Sequence, residues 1–244
     1  MKAKWMKWGL LAVMSTSILT ACQSQPKNEA DTVSGASIKT PREIIKSPVK
    51  KTDFLLGTAV ALSVYHPNTE EVITSALEMI KDLEKRITVN ASGSEVDDVN
   101  LAAGEKPVKV SADVYELIKL GLKYSEEFNG AFDITVGPLT QLRHIVFDDA
   151  KKPTQEEIDA VLPLVNYKDV ELNDAEQTVF LKKKGMQLDL GGIAKGYIAD
   201  KVWEYFAKEG ITTAVIDLGG NIVVMGGSPA RDGVAWNVGI QDPD

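Results

Sequence analysis

Apolar positions change period several times along the chain, and each change marks an element. Phe54–Tyr65 is apolar and rich in β-forming residues, which predicts a strand. His66-Pro67-Asn68 breaks it; Asn68 reads as a helix N-cap with Glu71 at the third helical position. Val72, Ala76, Met79, Ile80 and Leu83 then share one helical face. A second helix is predicted from near Ser111, carrying Val114, Leu117, Ile118, Leu122 and Phe128. Thr154-Gln155-Glu156-Glu157 is a capping box before a short helix with Ile158, Val161 and Leu162. Short strands follow at Asp169–Leu172, Thr178–Leu181 and Met186–Leu190. A helix over Ile193–Glu209 ends at Gly210, a C-cap residue. Thr212–Leu218, Ile222–Met225 and Trp236–Ile240 read as strands. Helices interleave irregularly with strands joined by hairpin-length connections. That pattern predicts an α+β fold with largely antiparallel sheets, not a doubly wound parallel sheet.

The first 51 residues follow other rules. Lys2, Lys4 and Lys7 precede a mostly apolar stretch, Leu10–Leu19, too short for an ordinary membrane span of about 20 residues. It closes on Leu19-Thr20-Ala21-Cys22, which resembles the lipobox of bacterial lipoproteins. Cleavage before Cys22 and lipidation of that residue are what the resemblance implies; a plain secretory signal with an incidental cysteine is the other reading. Residues 22–51 are rich in Ser, Thr, Pro, Lys and Asn without an apolar period, and read as a flexible tether. The expected organisation is a signal peptide at 1–21, a tether at 22–51 and a folded part at 52–244. Several acyl chains on Cys22 would hold that part at the membrane, on its extracytoplasmic face.

Composition narrows the chemistry. The 244 residues include 27 Lys+Arg and 35 Asp+Glu, a formal charge of −8. Loss of residues 1–21 removes three lysines and no acid, giving −11. Such a chain lacks the basic face that a nucleic-acid partner requires. One cysteine excludes a disulfide framework, and two histidines, His66 and His144, leave little for a nitrogen-ligated metal. Any metal is expected to be a hard cation held by oxygens.

The strongest chemical string is Asp189-Leu190-Gly191-Gly192-Ile193-Ala194-Lys195-Gly196-Tyr197, a strand running through two glycines into a helix. Glycines let backbone N–H groups approach an anion, the helix start favours negative charge, and Lys195 adds a cation. A tight turn with an exposed lysine is the competing reading. Asp217-Leu218-Gly219-Gly220-Asn221 repeats the theme 28 residues on, as a second loop of one site or an ordinary hairpin. In Gly130-Ala131-Phe132-Asp133-Ile134-Thr135, Phe132 is suited to stack on a flat ring and Asp133 to accept from it; a buried Phe and a turn-capping Asp serve equally well. Ser94-Glu95 and Asn100 read as a polar loop, and both histidines as incidental to catalysis.

Taken in order, these strings cease to be ambiguous: Gly130–Thr135 and Asp189–Tyr197 are specific and the others supportive. Leu56-Gly57-Thr58, Ser94-Glu95-Val96 with Asn100, Gly130–Thr135 with Pro138-Leu139, Asp189–Tyr197 with Asp200, Asp217–Asn221, and Trp236–Ile240 with Asp242-Pro243 closely resemble the ApbE family. These are FAD:protein FMN transferases, many of them lipoproteins, and the resemblance runs over about residues 52–244. It implies FAD and Mg²⁺ as ligands, and transfer of FMN to a Thr or Ser hydroxyl of a partner protein with release of AMP. Site residues carry over by position. Ala131, Phe132 and Asp133 line the flavin or adenosine part; Asp189, Gly191, Lys195 and Tyr197 lie beside FAD; the Ala194 carbonyl binds Mg²⁺. Leu56 stands where the family often has Met, and Asn90 near a position often aromatic; both are expected beside the flavin. The catalytic base is not identified. The family continues for roughly another hundred residues, a small domain's worth, with a His-containing string and the remaining acidic metal ligands. The chain is thus expected to be C-terminally truncated, and 1–244 alone inactive or unstable. The alternatives are a lipoprotein that binds or hydrolyses FAD without transfer, and a solute-binding lipoprotein.

Overall fold

The computed structural model describes residues 39–144, 148, 150–240 and 242. The signal segment 1–21, Cys22 and the tether as far as residue 38 lie outside the described residues. Among the described residues no helix is long and apolar enough to cross a membrane.

The fold is α+β. One antiparallel sheet has four strands in the order β1 (Val49–Leu55), β2 (Thr58–Val64), β6 (Ala214–Leu218), β7 (Asn221–Met225). A smaller antiparallel sheet has the order β3 (Val108–Lys109), β5 (Thr178–Leu181), β4 (Val170–Asn173). The helices are α1 (Glu70–Ile87), α2 (Glu95–Leu101), α3 (Ala112–Glu127), α4 (Gly137–Arg143), α5 (Gln155–Val161) and α6 (Gly191–Lys208). Alternation builds the core: Val60, Leu62 and Val64 of β2 and Ala214, Ile216 and Leu218 of β6 are buried on one face. Against them pack Ile73, Ala76 and Ile80 of α1 and Ile198, Val202 and Phe206 of α6. The 3.6-residue period read from the sequence thus finds its partner face.

Several elements differ from the sequence reading, each for a local reason. The strand expected over Phe54–Tyr65 starts earlier and is a hairpin, β1 and β2, turning at Leu56-Gly57. Both turn residues have positive φ, 55° and 67°, a conformation Leu adopts rarely. The Phe54-Leu55-Leu56 run conceals that turn. The tether boundary also moves: β1 begins at Val49, and residues 39–45 are already tied to the fold. Lys39 N–H donates to the Lys208 carbonyl (3.2 Å), Arg42 N–H to Gly210 (3.2 Å) and Ile45 N–H to Tyr65 (2.9 Å). Ser94 and Asn100 belong to a helix, not a loop: Ser94 caps α2 by accepting from Asp97 N–H at 2.9 Å. α1 is preceded by Thr69 rather than Asn68, which sits at φ 56°. Met186–Leu190 has no strand neighbour beyond a single parallel bridge, Val136 to Gln187. Trp236–Ile240 forms no strand and pairs with none among the described residues. Phe128, expected on the buried face of α3, is 57% exposed. The Thr154–Glu157 capping box is present as read.

His66 has a structural task at the end of the sheet where β2 and β7 finish. It is fully buried. Nδ1 lies 2.7 Å from the Glu43 carbonyl, and Nε2 accepts from the N–H groups of Thr212 (3.0 Å) and Thr213 (3.1 Å). One ring joins the incoming strap, the β2 exit and the α6–β6 connection.

Candidate functional site

Antiparallel registers place the β1–β2 turn (Leu56-Gly57) and the β6–β7 turn (Gly219-Gly220) at the same end of the sheet. Gly219 is required there: φ is +66°, and an added Cβ would sit 2.3 Å from Thr58 Oγ1. α1 finishes at this end, because Glu84 Oε1 accepts from Leu56 N–H at 2.8 Å. α6 returns to β6 through a short connection at its far end, so its first turn lies back toward the glycine turns.

The two most specific strings are joined by backbone. Asp189 N–H donates to the Ile134 carbonyl (2.8 Å) and Gly137 N–H to the Gln187 carbonyl (3.1 Å). Phe132 lies against the start of α6, its Cε2 3.2 Å from where a Cβ on Gly192 would stand. Asn100 braces the same segment from the other side. Its Oδ1 accepts from Leu188 N–H (2.7 Å) and its Nδ2 donates to the Leu188 carbonyl (3.1 Å), a side chain standing in for a missing strand. Beside Gly192 opens a cleft of about 250 Å³ lined by Tyr124, Phe128, Phe132, Gly192 and Ile193. Tyr124 and Phe128 stack with ring centroids 6.3 Å apart.

The carboxylates are largely engaged. Asp133 Oδ1 accepts from Thr135 N–H (2.8 Å) and Oγ1 (2.7 Å), and Oδ2 from Tyr167 N–H (3.0 Å). It holds the loop that presents Phe132. Asp189 Oδ1 accepts from Gly191 N–H (2.9 Å) and Oδ2 from Thr140 Oγ1 (2.7 Å). One N–H of the glycine turn is therefore already donated, to a carboxylate. Asp217 treats the second turn alike, accepting from Gly220 N–H at 2.8 Å. The repeated Asp-Leu-Gly-Gly is a shared local solution: the Asp side chain satisfies a glycine amide at the bend.

Lys195 follows Gly191 by four residues, on the same face of α6, and forms no ion pair among the described residues. Asn90 is exposed after α1, its N–H donating to Thr88 Oγ1 at 3.2 Å. Ala131 is exposed, and Ala194 is buried within α6. Tyr197 is buried, and its hydroxyl donates to Glu116 Oε2 at 2.7 Å. Burial, reinforced by Glu116, pushes its hydroxyl well above the usual tyrosine range.

Lys201 also reaches Glu116 at 2.7 Å, closing a clasp between α3 and α6. That hydrogen bond holds the Glu116 carboxyl below its usual range, with Tyr197 adding to it against an opposing effect of burial. A carboxylate depressed in the fold contributes above its unfolded pKa and loses that contribution as pH falls through the folded value. Glu116→Gln is thus expected to flatten part of the acid limb of melting temperature as pH falls through and below the ordinary glutamate range. An acid limb identical to that of the parent would contradict the clasp.

Tyr124 and Thr140 did not stand out in the sequence, Phe128 read only as part of a helical face, and Glu95 as part of a polar loop. Glu95 accepts from Ser111 N–H at the start of α3. The i, i+4 aromatic spacing of Tyr124 and Phe128, continued to Phe132, was the available signal. Among the described residues no cluster of three or more His, Cys, Asp or Glu is placed to hold a metal ion. The described side chains alone do not fit a complete Mg²⁺ shell.

Fold and site define an antiparallel α+β protein with two glycine turns and a glycine-led helix gathered toward one sheet end. The sequence profile of the ApbE family matches residues 56–244. A FAD:protein FMN transferase of Klebsiella pneumoniae is 37% identical over 189 residues, covering 78% of this chain and 57% of that protein. One from Treponema pallidum is 33% identical over 208 residues, covering 79% and 58%. The crystal structure of the ApbE protein from Thermotoga maritima aligns with a TM-score of 0.73 at 29% identity, over 81% of this chain and 64% of that one. The flavin transferase ApbE from Vibrio cholerae shares the fold, with a TM-score of 0.73 at 24% identity over 81% and 64%. This chain belongs to the ApbE family. It spans less than two thirds of the length of the curated relatives it matches.

Proposed function

We propose that the protein transfers FMN from FAD to a Thr or Ser hydroxyl of a partner protein, releasing AMP, with Mg²⁺ required. The reading includes a folded enzyme held by lipidated Cys22 on the extracytoplasmic face of the cytoplasmic membrane. The observation that supports the chemistry most is the backbone pairing of the Gly130–Thr135 and Asp189–Tyr197 strings, within the family match over 56–244. In the proposed reaction the acceptor hydroxyl oxygen forms a bond to the FMN phosphorus. The P–O bond of the diphosphate bridge breaks, and AMP leaves with that electron pair. The hydroxyl proton passes to a base outside the assigned residues.

Positioning and charge neutralisation carry most of such a reaction. Gly192 N–H and the Lys195 ammonium are assigned to the diphosphate, Phe132 to a planar ring, and Asp133 to holding the loop. Asp189 puts negative charge beside the phosphates, so cationic charge is needed there. Lys195 supplies part, and a magnesium ion, with Ala194 offering one backbone ligand, would supply the rest. No step is assigned to it.

The test is a mass measurement. Full-length protein, FAD, Mg²⁺ and acceptor should yield acceptor heavier by one FMN and an equivalent of AMP. Lys195→Ala should slow transfer about a hundredfold, the scale of one preorganised donor. AMP and FMN release without adduct would replace transfer by hydrolysis, and no affinity for FAD would end the flavin reading. Cys22→Ala should move the protein from the detergent to the aqueous phase; unchanged partitioning would remove the anchor.

A further inference from the structure

The string Asp217–Asn221 is only partly used by the function proposed above. Asn221 opens β7 and is the register partner of Leu218, which is fully buried. Register partners share a face of a sheet, so Asn221 stands on the helix-packed side, in line with Val223 and Met225. It also directly follows the Gly219-Gly220 turn, at the end toward which α1 closes and α6 starts. Its Nδ2 is buried and meets no acceptor among the described residues.

A buried amide without a partner is costly, and folded proteins keep few of them. The turn itself does not explain this one. Asp217 already satisfies Gly220 N–H, and Gly219 packs directly on Thr58. Neither contact uses the Asn221 side chain. A leucine would fill similar space and bury no unpaired donor, so the fold alone gives no reason for an amide here.

We infer that Asn221 is a ligand-binding residue whose side-chain amide donates to an acceptor oxygen of the flavin dinucleotide. The inference rests on the flavin reading above and adds a contact at the second glycine turn. It gives the Asp217–Asn221 string a task beyond turning the chain.

Asn221→Leu and Asn221→Ala in the full chain test it with two readouts, melting temperature without ligand and FAD affinity by fluorescence titration. Because the leucine removes an unpaired donor, melting should be unchanged or higher for Asn221→Leu. The dissociation constant for FAD should rise about tenfold in both variants, or about 1.4 kcal/mol. Riboflavin and ADP titrated alongside locate the oxygen: whichever fragment loses affinity carries it. Unchanged FAD affinity in both variants overturns the assignment. So does a melting loss of several degrees in both, which would reveal a structural partner for the amide. If the parent protein itself binds no FAD, the flavin reading falls and this inference with it. Parent binding with unaltered variants removes Asn221 alone.

Discussion

Asn100→Leu is expected to lower stability by about 2–6 kcal/mol, because two backbone groups of fully buried Leu188 lose their partners at roughly 1–3 kcal/mol each. In a protein of this size that is a fall of roughly 5–15 °C in melting temperature. The leucine keeps the volume, so the loss is of hydrogen bonds and not of packing. Function should fall with it. Leu188 leads into Asp189 and the glycine turn, and its segment is otherwise joined by the Val136–Gln187 bridge, the Asp189–Ile134 hydrogen bond and the Asp189–Thr140 contact rather than by a full strand ladder. Weakened FAD binding at temperatures where the variant is still folded is the second expected result. Calorimetry and FAD titration below the transition check both. A variant that melts like the parent would show that the side chain is not a substitute strand.

His66→Leu is expected to cost about 2–4 kcal/mol, since the N–H of Thr213 and the Glu43 carbonyl lose a buried partner and Thr212 N–H loses its acceptor. Here the prediction separates stability from function. The ring sits where β2 ends and β6 begins, the opposite end of the sheet from Leu56-Gly57 and Gly219-Gly220. On the flavin reading proposed above, the folded fraction should therefore keep the parent's affinity for FAD. The same two measurements that show both losses for Asn100→Leu should show one for His66→Leu. A weakened affinity in the folded His66 variant would mean that the two ends are coupled.

The contrast also shows what could be read from the sequence. Helical faces such as Val72–Leu83 and the alternating strands β5 to β7 were legible because burial imposes a period on the residues themselves. The capping box at Thr154 was legible because two side chains and two amides satisfy each other locally. Leu56-Gly57 was not, because a leucine with positive φ carries no mark of a turn. Asn100 was not, because its partner lies 88 residues away and no local pattern encodes it. Tyr197 shows the limit of a string: its position follows the family pattern, yet its hydroxyl is committed to α3 through Glu116. His66 read as incidental for a similar reason, since its three backbone partners come from distant segments.

The carboxylate of Asp189, fixed at the first amide of α6, sets an entrance condition for whatever approaches. A bare anion arriving at that helix meets like charge before it meets a free N–H. A phosphate whose charge is already shared with a cation does not. On the flavin reading proposed above, the residue that shapes the turn would favour a diphosphate that arrives with its charge already shared with a cation.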